Sequence, residues 1–375
     1  MSGPKPLAGV LVVALEQAVA APLATARLAE AGARVIKIER AEGDFARLYD
    51  TAANGASSYF AWLNQGKESI ALDLKDPSDL SLMRRMLDRA DVFVQNLATG
   101  AAARLGLDAD DLRAEHDGLI CCDISGFGAG SPYGTRKAYD LLIQAESGVV
   151  SISGGPGEMG RIGVSLADIG TGLNAFGAIT AALVAQARTG CGAHIEVSLF
   201  DTLAEWMTVP LLHHDYAGAA PARIGLAHPS IAPYGAFATA DGRRILISVQ
   251  SDREWRVLAR SVLERPEMAD DQRFATNTAR VTHRAETDGA VAGAFASMPL
   301  PMLSAALDKA RIAWGEVNDV AGLSVHPHLR RVTVDVAGQI AQLPASAAQT
   351  AWSGALPVPD LDQHGPAIRA EFGVE

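Results

Sequence analysis

Asp168 is the residue of this 375-residue chain whose type and setting most favour chemistry. It lies in the segment VSLADIGTG (164–172), where a short apolar run meets a glycine-spaced, alanine-rich stretch typical of a helix. We expect this helix to begin at Ile169 with Asp168 as its N-cap, because a carboxylate there accepts the free amides of the first turn. The same helix end favours negative charge, and a carboxylate kept from water is a competent nucleophile. Asp168 therefore fits a structural cap, a nucleophile, or both.

The residues around Asp168 leave room for a bound molecule. Gly163, Gly170 and Gly172 flank it, and a ligand can approach a backbone without side chains closely. Such access would suit a carboxylate that attacks a bound substrate.

His228 and a set of cations are candidates for binding. His228 lies in the loop segment IGLAHPSIAPYG, where it could serve the structure or a site. Several cations stand at the ends of strand-like runs or in the loops after them, where α/β sheets bind ligands. These cations are Arg40, Lys67, Lys75, Arg104 and Lys137. Together they would suit a polyphosphate, whereas each alone is typical of an ordinary surface charge.

The hydrophobic pattern predicts a parallel sheet that would position these residues. GVLVVAL is typical of a buried strand, APLATARLAEAG of a helix that ends at glycine, and ARVIKIE of a second strand. This βαβ unit is followed by further helix–strand pairs that end in DVFVQN, LICCDISGF and AHIEVS. After about residue 215, a hairpin in AFATADGRRILISVQ and several helices predict a smaller α+β unit.

The composition argues against several classes of protein. Hydrophobic residues make up 49% of the chain and charged residues 20%, which supports a packed core rather than disorder. A net charge of −11 disfavours a nucleic-acid partner. No apolar run reaches the roughly 18 residues that cross a bilayer, so we expect no membrane segment. The three cysteines lack metal-ligand spacing and indicate reduced thiols in a cytoplasmic protein.

The motifs that are missing narrow the chemistry. The turn after the first strand reads EQAVAAP rather than G-x-G-x-x-G, which disfavours a dinucleotide site. Neither a G-x-S-x-G elbow nor a phosphate-binding G-x-x-x-x-G-K-[ST] loop occurs. The histidines form no i, i+4 pair beside a glutamate, so we expect no metal. Asp168 remains the leading candidate for chemistry.

Several segments occur in an order that is typical of one enzyme family. They are PLAGVLVVALEQAVAAPLATARLAEAGARVIKIERAEGDFAR, LNQGKESIALDLK, VFVQNLATGAAARLGL, RTGCGAHIEVSLFD and, near the end, LDQHGPAIRAEFG. This series, which covers essentially the whole chain, resembles the class III CoA-transferase family, the CaiB/BaiF or formyl-CoA transferase type. GDFARLYD, EWM and AHPSIAPYG are most similar to the branch that uses itaconate, mesaconate and succinyl-CoA.

The resemblance implies an α/β fold with two domains. Residues 1–215 and a returning segment, 329–375, would form a large domain with a Rossmann-like parallel sheet, and residues 216–328 a smaller α+β domain. Two chains would pass through one another as an interlocked homodimer. The resemblance implies no tightly bound cofactor, because coenzyme A or its acyl thioester is the substrate together with a small carboxylic acid.

The resemblance also implies roles for individual residues. The family's nucleophilic aspartate stands at ADIGTG, hence on Asp168, where the position at a helix end would support it. The implied CoA contacts are Arg40, Lys75, Asn96, Leu97, Arg104 and Lys137. Gln17 and Ala18 would lie near the thioester, although the family often has a histidine in this turn. Candidates for the acyl group or a distal carboxylate are Arg47, Tyr139, Arg223 and His228.

The implied reaction moves CoA from an acyl-CoA such as succinyl-CoA to a small acid. A C4–C5 dicarboxylate such as itaconate or mesaconate is the expected acceptor, with an aspartyl anhydride and an aspartyl-CoA thioester as intermediates. The alternatives are an α-methylacyl-CoA racemase or epimerase, and CoA transfer between C1 and C4 within mesaconyl-CoA. Racemases of this type carry a histidine where KAYDLL has Tyr139, and a neutral phenol is a poor base near neutral pH.

Overall fold

Six short apolar runs form one parallel sheet in the computed structural model, which describes residues 5–373. The strands are β1 (Leu11–Leu15), β2 (Arg34–Glu39), β3 (Lys67–Ala71), β4 (Val92–Gln95), β5 (Ile120–Ser125) and β6 (His194–Ser198). Their order is β3-β2-β1-β4-β5-β6, so the direction of winding reverses between β1 and β4. Open α/β sheets bind ligands at the carboxyl ends of the strands beside such a reversal. The Rossmann-like sheet expected from the alternating sequence is confirmed.

Helices alternate with the strands as far as residue 217, and several of them cover the two faces of this sheet. In chain order they are α1 (Ala20–Glu30), α2 (Ser58–Leu63), α3 (Pro77–Leu87), α4 (Ala101–Arg104), α5 (Ala109–Glu115), α6 (Asp140–Glu146), α7 (Val149–Ile152), α8 (Leu166–Thr189), α9 (Leu199–Trp206) and α10 (Thr208–Ala217), with a 3-10 turn at Phe45–Leu48. Val12 of β1 shares a core with α1 and α8, whereas the next residue, Val13, shares a core with α3. Strands covered on both faces are mostly apolar, which explains the continuous apolar run of β1.

Helix α8 begins earlier than the sequence suggested, at Leu166. The expectation that Asp168 is its N-cap is wrong, because Asp168 is the third helical residue. The capping role belongs to Asp140, whose Oδ1 accepts hydrogen bonds from the backbone N–H groups of Ala167 (2.7 Å) and Asp168 (3.4 Å). A cap supplied from a distant part of the chain leaves no local sequence signal.

Two of the glycines near Asp168 serve helix packing. A Cβ on Gly170 would come within 2.5 Å of the Trp206 ring, and one on Gly172 within 2.5 Å of the carbonyl oxygen of Ala20. These glycines let α8 approach α9 and α1 closely, so they do not provide the ligand access that we expected. A Cβ on Gly163 would meet nothing within 4 Å, so of these three glycines only Gly163 has open space beside its Cα atom.

By length and composition alone, α8 is also apolar enough to cross a membrane. This differs from the sequence expectation, because many small residues together raise the mean hydropathy of the helix. Within the protein α8 packs along α1, and the same helix leaves Leu173 and Val184 exposed.

Contacts divide the chain into two compact units. The first comprises residues up to 149, residues 162–209 and residues from 330 onward, and the second comprises 150–161 and 210–329. The contacts thus assign residues 150–161 and 210–215 to the second unit, whereas the sequence predicted them as part of the large domain.

The second unit is built on a three-stranded antiparallel sheet. Its strands, in the order β7-β8-β9, are β7 (Tyr234–Ala238), β8 (Arg244–Ser248) and β9 (Ala313–Glu316). Its helices are α11 (Asp252–Ser261), α12 (Pro266–Asp270), α13 (Asn277–Thr282), α14 (Arg284–Phe295), α15 (Leu300–Ala310) and α16 (Val320–Ser324). Trp255 and Phe295 are fully buried in its core, so this unit has a hydrophobic centre of its own.

The C-terminal segment returns to the first unit. It forms the hairpin β10 (Arg331–Val336) and β11 (Gln339–Pro344) and ends in α17 (Gly365–Phe372). The outer edge of β3 is covered by this segment, because Asp362 Oδ1 accepts from the Ala71 N–H (2.9 Å) and His364 Nδ1 from the Ser69 N–H (3.2 Å). Pairing these donors protects an otherwise open sheet edge.

Candidate active site

The Asp168 side chain is half-buried in the first turn of α8. Burial, together with the negative charge of Asp140, raises its pKa to about 7. Low solvation disfavours a charged carboxylate and makes it more basic. Near neutral pH, Asp168 is thus a reactive carboxylate of a kind that water-exposed aspartates are not.

Asp140 is itself held in a fixed orientation. Its Oδ2 accepts a hydrogen bond from Gln144 Nε2 (2.7 Å), while Oδ1 accepts from the start of α8. Gln144 is buried, and its Oε1 accepts from the Ile162 N–H at 3.0 Å. The carboxylate next to Asp168 is therefore part of a rigid hydrogen-bonded frame.

Tyrosines form a second group near Asp168. Tyr59 Oη lies 3.1 Å from the hydroxyl of Ser165, which precedes α8. Tyr49 packs edge-on against Tyr59, with 5.5 Å between the ring centroids. Burial, followed by the charges of Asp44 and Asp168, raises the pKa of Tyr49 to about 12. Tyr49 therefore remains a neutral hydroxyl donor. Tyr139, whose side chain is 65% exposed, also contributes to raising the pKa of the Tyr49 phenol.

A cavity of about 420 Å³ lies at the carboxyl ends of the central strands. Four residues expected from the sequence to touch CoA or its thioester line it: Gln17, Arg40, Lys75 and Leu97. The Arg40 and Lys75 side chains are exposed and make no ion pair within residues 5–373. Asp168, Arg104 and Lys137 are not among the lining residues, and the last two are exposed elsewhere on the surface of the first unit.

The turn between β1 and α1 forms one wall of this cavity. The side chain of Asn96 holds the turn through two hydrogen bonds. Its Oδ1 accepts from the Gln17 N–H (2.9 Å), and its Nδ2 donates to the Gln17 carbonyl (2.8 Å). The Ala18 N–H donates to Asp44 Oδ1 at 3.2 Å, and Ala18 adopts a left-handed φ of 65°. Both backbone amides of the turn are thus used within the protein. The Gln17 side-chain amide has no hydrogen-bond partner in the described part of the chain.

A family comparison decides the class of this protein. A model described as CoA-transferase family III matches residues 7–365. The chain belongs to CoA-transferase family III. It is therefore a class III CoA-transferase, as its sequence motifs indicated.

Other members of the family are similar along nearly the whole chain. The chain is 35% identical to a succinate–glutarate CoA-transferase of Agrobacterium fabrum, with 98% of this chain and 96% of the other covered. It is 29% identical to a succinyl-CoA:mesaconate CoA-transferase of Haloarcula hispanica, with coverages of 97% and 95%. The crystal structure of a CaiB/BaiF family protein from Brucella suis has a TM-score of 0.84 at 34% identity, covering 99% of this chain and 100% of that one.

Two cations of this CoA-transferase are engaged inside the protein rather than available to a ligand. Lys67 is buried, and its Nζ donates to Glu16 Oε1 at 2.6 Å, so the expectation that it joins a polyphosphate site is wrong. Arg47 pairs through Nε (2.8 Å) and Nη2 (2.7 Å) with the two oxygens of Glu39 and lies over the Phe60 ring. Its guanidinium fork is occupied, contrary to our expectation of a distal-carboxylate site.

Arg223 and His228 belong to the second unit. Arg223 donates to the carbonyls of Ser151 (2.8 Å) and Gly155 (3.3 Å) within that unit. The His228 ring stacks on Tyr234, with 5.2 Å between the centroids, and its carbonyl accepts from Arg284 Nη2 at 2.8 Å. Both residues therefore have structural contacts of their own.

Sequence reasoning missed a cluster of buried charges beneath the β1–α1 turn. We name Glu16, Lys37, Asp44 and Lys67 the buried charge cluster. They form three ion pairs, and all four side chains are 0% exposed. Burial opposes the charge on Lys37, but the carboxylates of Glu16 and Asp44 raise its pKa. Burial, reinforced by Lys37, lowers the pKa of Lys67 to about 8. The signal was present: a lysine inside the apolar strand VIKIE needs buried partners.

Proposed function

We propose that this class III enzyme transfers CoA from an acyl-CoA, with succinyl-CoA as the donor, to a small dicarboxylic acid through Asp168. The observation that carries the proposal is the Asp168 carboxyl, half-buried at a helix start beside Asp140 with a pKa of about 7. A poorly hydrated carboxylate attacks a carbonyl more readily than a solvated one.

The proposed reaction conserves the thioester through two covalent intermediates. An Asp168 oxygen attacks the donor carbonyl, forms a mixed anhydride and expels the CoA thiolate. The thiolate then attacks the aspartyl carbonyl, which gives an aspartyl-CoA thioester and releases the donor acid. The acceptor carboxylate attacks this thioester, forms a second mixed anhydride and expels the CoA thiolate. The thiolate then attacks the acyl carbonyl of the acceptor, which yields the new acyl-CoA and free Asp168.

The proposed oxyanion donor is the side-chain amide of Gln17. Each step develops negative charge on a carbonyl oxygen, and a prepositioned donor stabilises that charge. Gln17 lines the cavity and its side-chain amide is unused, whereas the backbone N–H groups of Gln17 and Ala18 already have acceptors. Because these backbone donors are engaged, we assign the stabilisation of the oxyanion to the side chain of Gln17.

We assign the CoA phosphates to the cations around the cavity. Arg40 and Lys75 line it and have no competing carboxylate in the described residues, which supports their role. Arg104 follows β4 in α4, and Lys137 precedes α6. These two would act from outside the cavity lining, together with Asn96, whereas Leu97 lies in the lining itself.

The acceptor is proposed to be a C4–C5 dicarboxylate such as itaconate or mesaconate. The relatives named above act on succinate, glutarate or mesaconate, all of which carry two carboxylates. Because Glu39 occupies the Arg47 fork, the hydroxyl groups of Tyr49 and Tyr139 are better candidates to receive the acid. Transfer within one mesaconyl-CoA molecule is the remaining alternative, and Tyr139 in place of a histidine argues against racemisation.

We also propose that two copies form an interlocked homodimer. No residue of α10 is buried, although the helix contains Val209, Leu211, Leu212 and Tyr216. Tyr216 is 83% exposed, and an apolar helix without cover is typical of a protein–protein interface. Light scattering at decreasing protein concentration tests this proposal, because interlocked chains do not dissociate on dilution.

The experiment that tests the function combines a product screen with chemical trapping. Succinyl-CoA is incubated with itaconate, mesaconate, glutarate or a monocarboxylate of matched length, and the acyl-CoA products are identified by mass spectrometry. Hydroxylamine added during turnover should label Asp168, because an activated aspartyl carbonyl reacts with amines. A labelled cysteine, or equal use of the monocarboxylate, contradicts the corresponding part of the proposal.

A further inference from the structure

Asp44 connects two segments of the candidate site, the β1–α1 turn and the 3-10 turn at Phe45–Leu48. Its Oδ1 accepts from the Ala18 N–H (3.2 Å) of the turn that carries Gln17. The same oxygen accepts from the Ala46 N–H (2.9 Å), where Asp44 caps the 3-10 turn that leads into Tyr49. One buried carboxylate therefore holds both the cavity wall and the chain next to Asp168.

Lys37 fixes the orientation of this carboxylate. Its Nζ donates to Asp44 Oδ2 at 2.9 Å and lies 3.4 Å from the backbone oxygen of Glu16, directly before Gln17. The Asp44 N–H in turn donates to Glu39 Oε2 at 2.9 Å. With both oxygens and its own amide engaged, Asp44 has one available orientation.

The turn requires such an anchor. Ala18 has a φ of 65°, in the left-handed region that costs a residue with a Cβ free energy. An alanine keeps this conformation only when its surroundings impose it, and the Ala18 N–H has Asp44 as its acceptor. Asn96 holds the backbone of Gln17, and Asp44 holds the next residue. Without the Asp44 acceptor the backbone of Ala18 would relax, and the direction of the Gln17 side chain would change with it.

We propose that Asp44, held by Lys37, is a positioning residue that sets the geometry of Gln17 and Tyr49 for transfer at Asp168. This inference rests on the proposed function, since it assigns Gln17 and Tyr49 to the reacting groups. Asp44 touches no reacting atom in this scheme. Its loss should slow the chemical steps and leave CoA binding through Arg40 and Lys75 intact.

The test compares Asp44→Asn and Lys37→Met with a matched control, Lys67→Met. An asparagine has one acceptor oxygen and cannot accept from both the Ala18 N–H and Lys37 Nζ, so one of these two contacts is lost while the shape of the side chain is kept. Lys67 has the same burial and the same partner, Glu16, yet contacts neither Asp44 nor the backbone of residues 16–18. All three variants should unfold at lower temperature than wild type.

Only the first two variants should change catalysis. We expect kcat to fall at least about tenfold in Asp44→Asn and Lys37→Met, while the KM for acyl-CoA stays within about threefold. Hydroxylamine labelling of Asp168 should slow in parallel. Lys67→Met should keep kcat within about threefold of wild type. Equal losses of kcat in all three, or an unchanged kcat in Asp44→Asn, would overturn the proposal.

Hydrogen exchange separates this inference from the proposed function. In Asp44→Asn, amides in peptides covering residues 16–19 and 45–49 should exchange faster than in wild type, and in Lys67→Met they should not. If wild-type protein gave no transfer, the proposed function would fail while the exchange result still decided whether Asp44 holds both segments. Unchanged exchange in Asp44→Asn contradicts the inference even in a fully active enzyme.

Discussion

Asp140 forms a hydrogen bond with the backbone of Asp168 and at the same time repels the charge of its side chain. Asp140 Oδ1 accepts a hydrogen bond from the backbone N–H of Asp168 at 3.4 Å and so stabilises the start of α8. The negative charge of Asp140 also adds to burial in raising the pKa of the Asp168 side chain. A single carboxylate therefore supports the helix that carries the proposed nucleophile and makes that nucleophile more basic.

Asp168→Asn should abolish transfer and increase stability at pH 8. The folded-state pKa of about 7 lies above the unfolded value, so wild type loses stability as pH rises from about 4 through 7. The full penalty is at most about 4 kcal/mol, at about 1.4 kcal/mol for each pKa unit. Urea unfolding at pH 5 and pH 8 measures it. A less stable Asn variant at pH 8 would contradict the burial argument.

The rate of transfer should rise with pH in the neutral range. Since only the ionised Asp168 attacks, kcat/KM for acyl-CoA should increase with a midpoint near the pKa of about 7. Asp140→Asn removes the neighbouring charge and should move this midpoint to lower pH, though only partly, because burial is the larger cause. A pH–rate profile of each protein gives both midpoints, and identical midpoints would exclude the charge effect.

Arg40→Ala and Lys75→Ala should weaken CoA binding without slowing chemistry. Each removes a cation that lines the cavity, and the KM for acyl-CoA should rise about three- to tenfold with kcat nearly unchanged. Wild-type KM should also increase with salt, because phosphate contacts at the surface are screened. Lys309→Ala, an exposed lysine of the second unit, is the control and should leave KM unaffected.

Arg47→Ala should lower stability rather than acid affinity. Arg47 is the ion-pair partner of buried Glu39, and removing it leaves that carboxylate with only the Ser69 hydroxyl and the Asp44 N–H as hydrogen-bond donors among residues 5–373. Burial opposes the charge of Glu39, but Arg47 and its other partners lower the Glu39 pKa to about 2. The stabilisation is therefore present above pH 4.5 and is lost as pH falls toward 2. Thermal unfolding and acceptor KM measured together separate this effect from a distal-carboxylate role.

Tyr49→Phe should raise the KM for the dicarboxylate acceptor. A neutral hydroxyl that donates to a carboxylate contributes about 0.5–1.5 kcal/mol, so we expect a change of about two- to tenfold. The KM for acyl-CoA should remain as in wild type. Phe45→Leu is the matched control, because it changes an aromatic ring of the same segment and removes no hydroxyl group. An equal effect of both substitutions would indicate packing instead of a hydrogen bond.

The parts of the fold that depend on local pattern could be predicted, and those that depend on distant partners could not. The runs around Val12 and Val35 are apolar because both faces of the sheet are covered, which makes the strands visible in sequence. The cap of α8 was missed because Asp140 lies 28 residues away from Asp168.

The same distinction applies to the candidate site. Gln17, Arg40 and Lys75 follow strand ends, and strand ends meet at one edge of a parallel sheet. Lys67 also stands at a strand end, but its partner Glu16 lies 51 residues away, and Arg47 pairs with Glu39, the last residue of β2. A cation's type and position do not reveal whether an acidic partner already occupies it.

The cover on the edge of β3 has a consequence for synthesis. Ala71 is made 291 residues before Asp362, the residue that accepts its N–H. On the ribosome, the six strands of the parallel sheet are complete at Ser198, long before the outer edge of β3 is paired. During that interval the nascent chain presents unsatisfied donors to any other extended segment, including those of neighbouring nascent copies. The arrival of the segment around Asp362 thus ends a period of vulnerability to misassembly that begins when β3 leaves the exit tunnel.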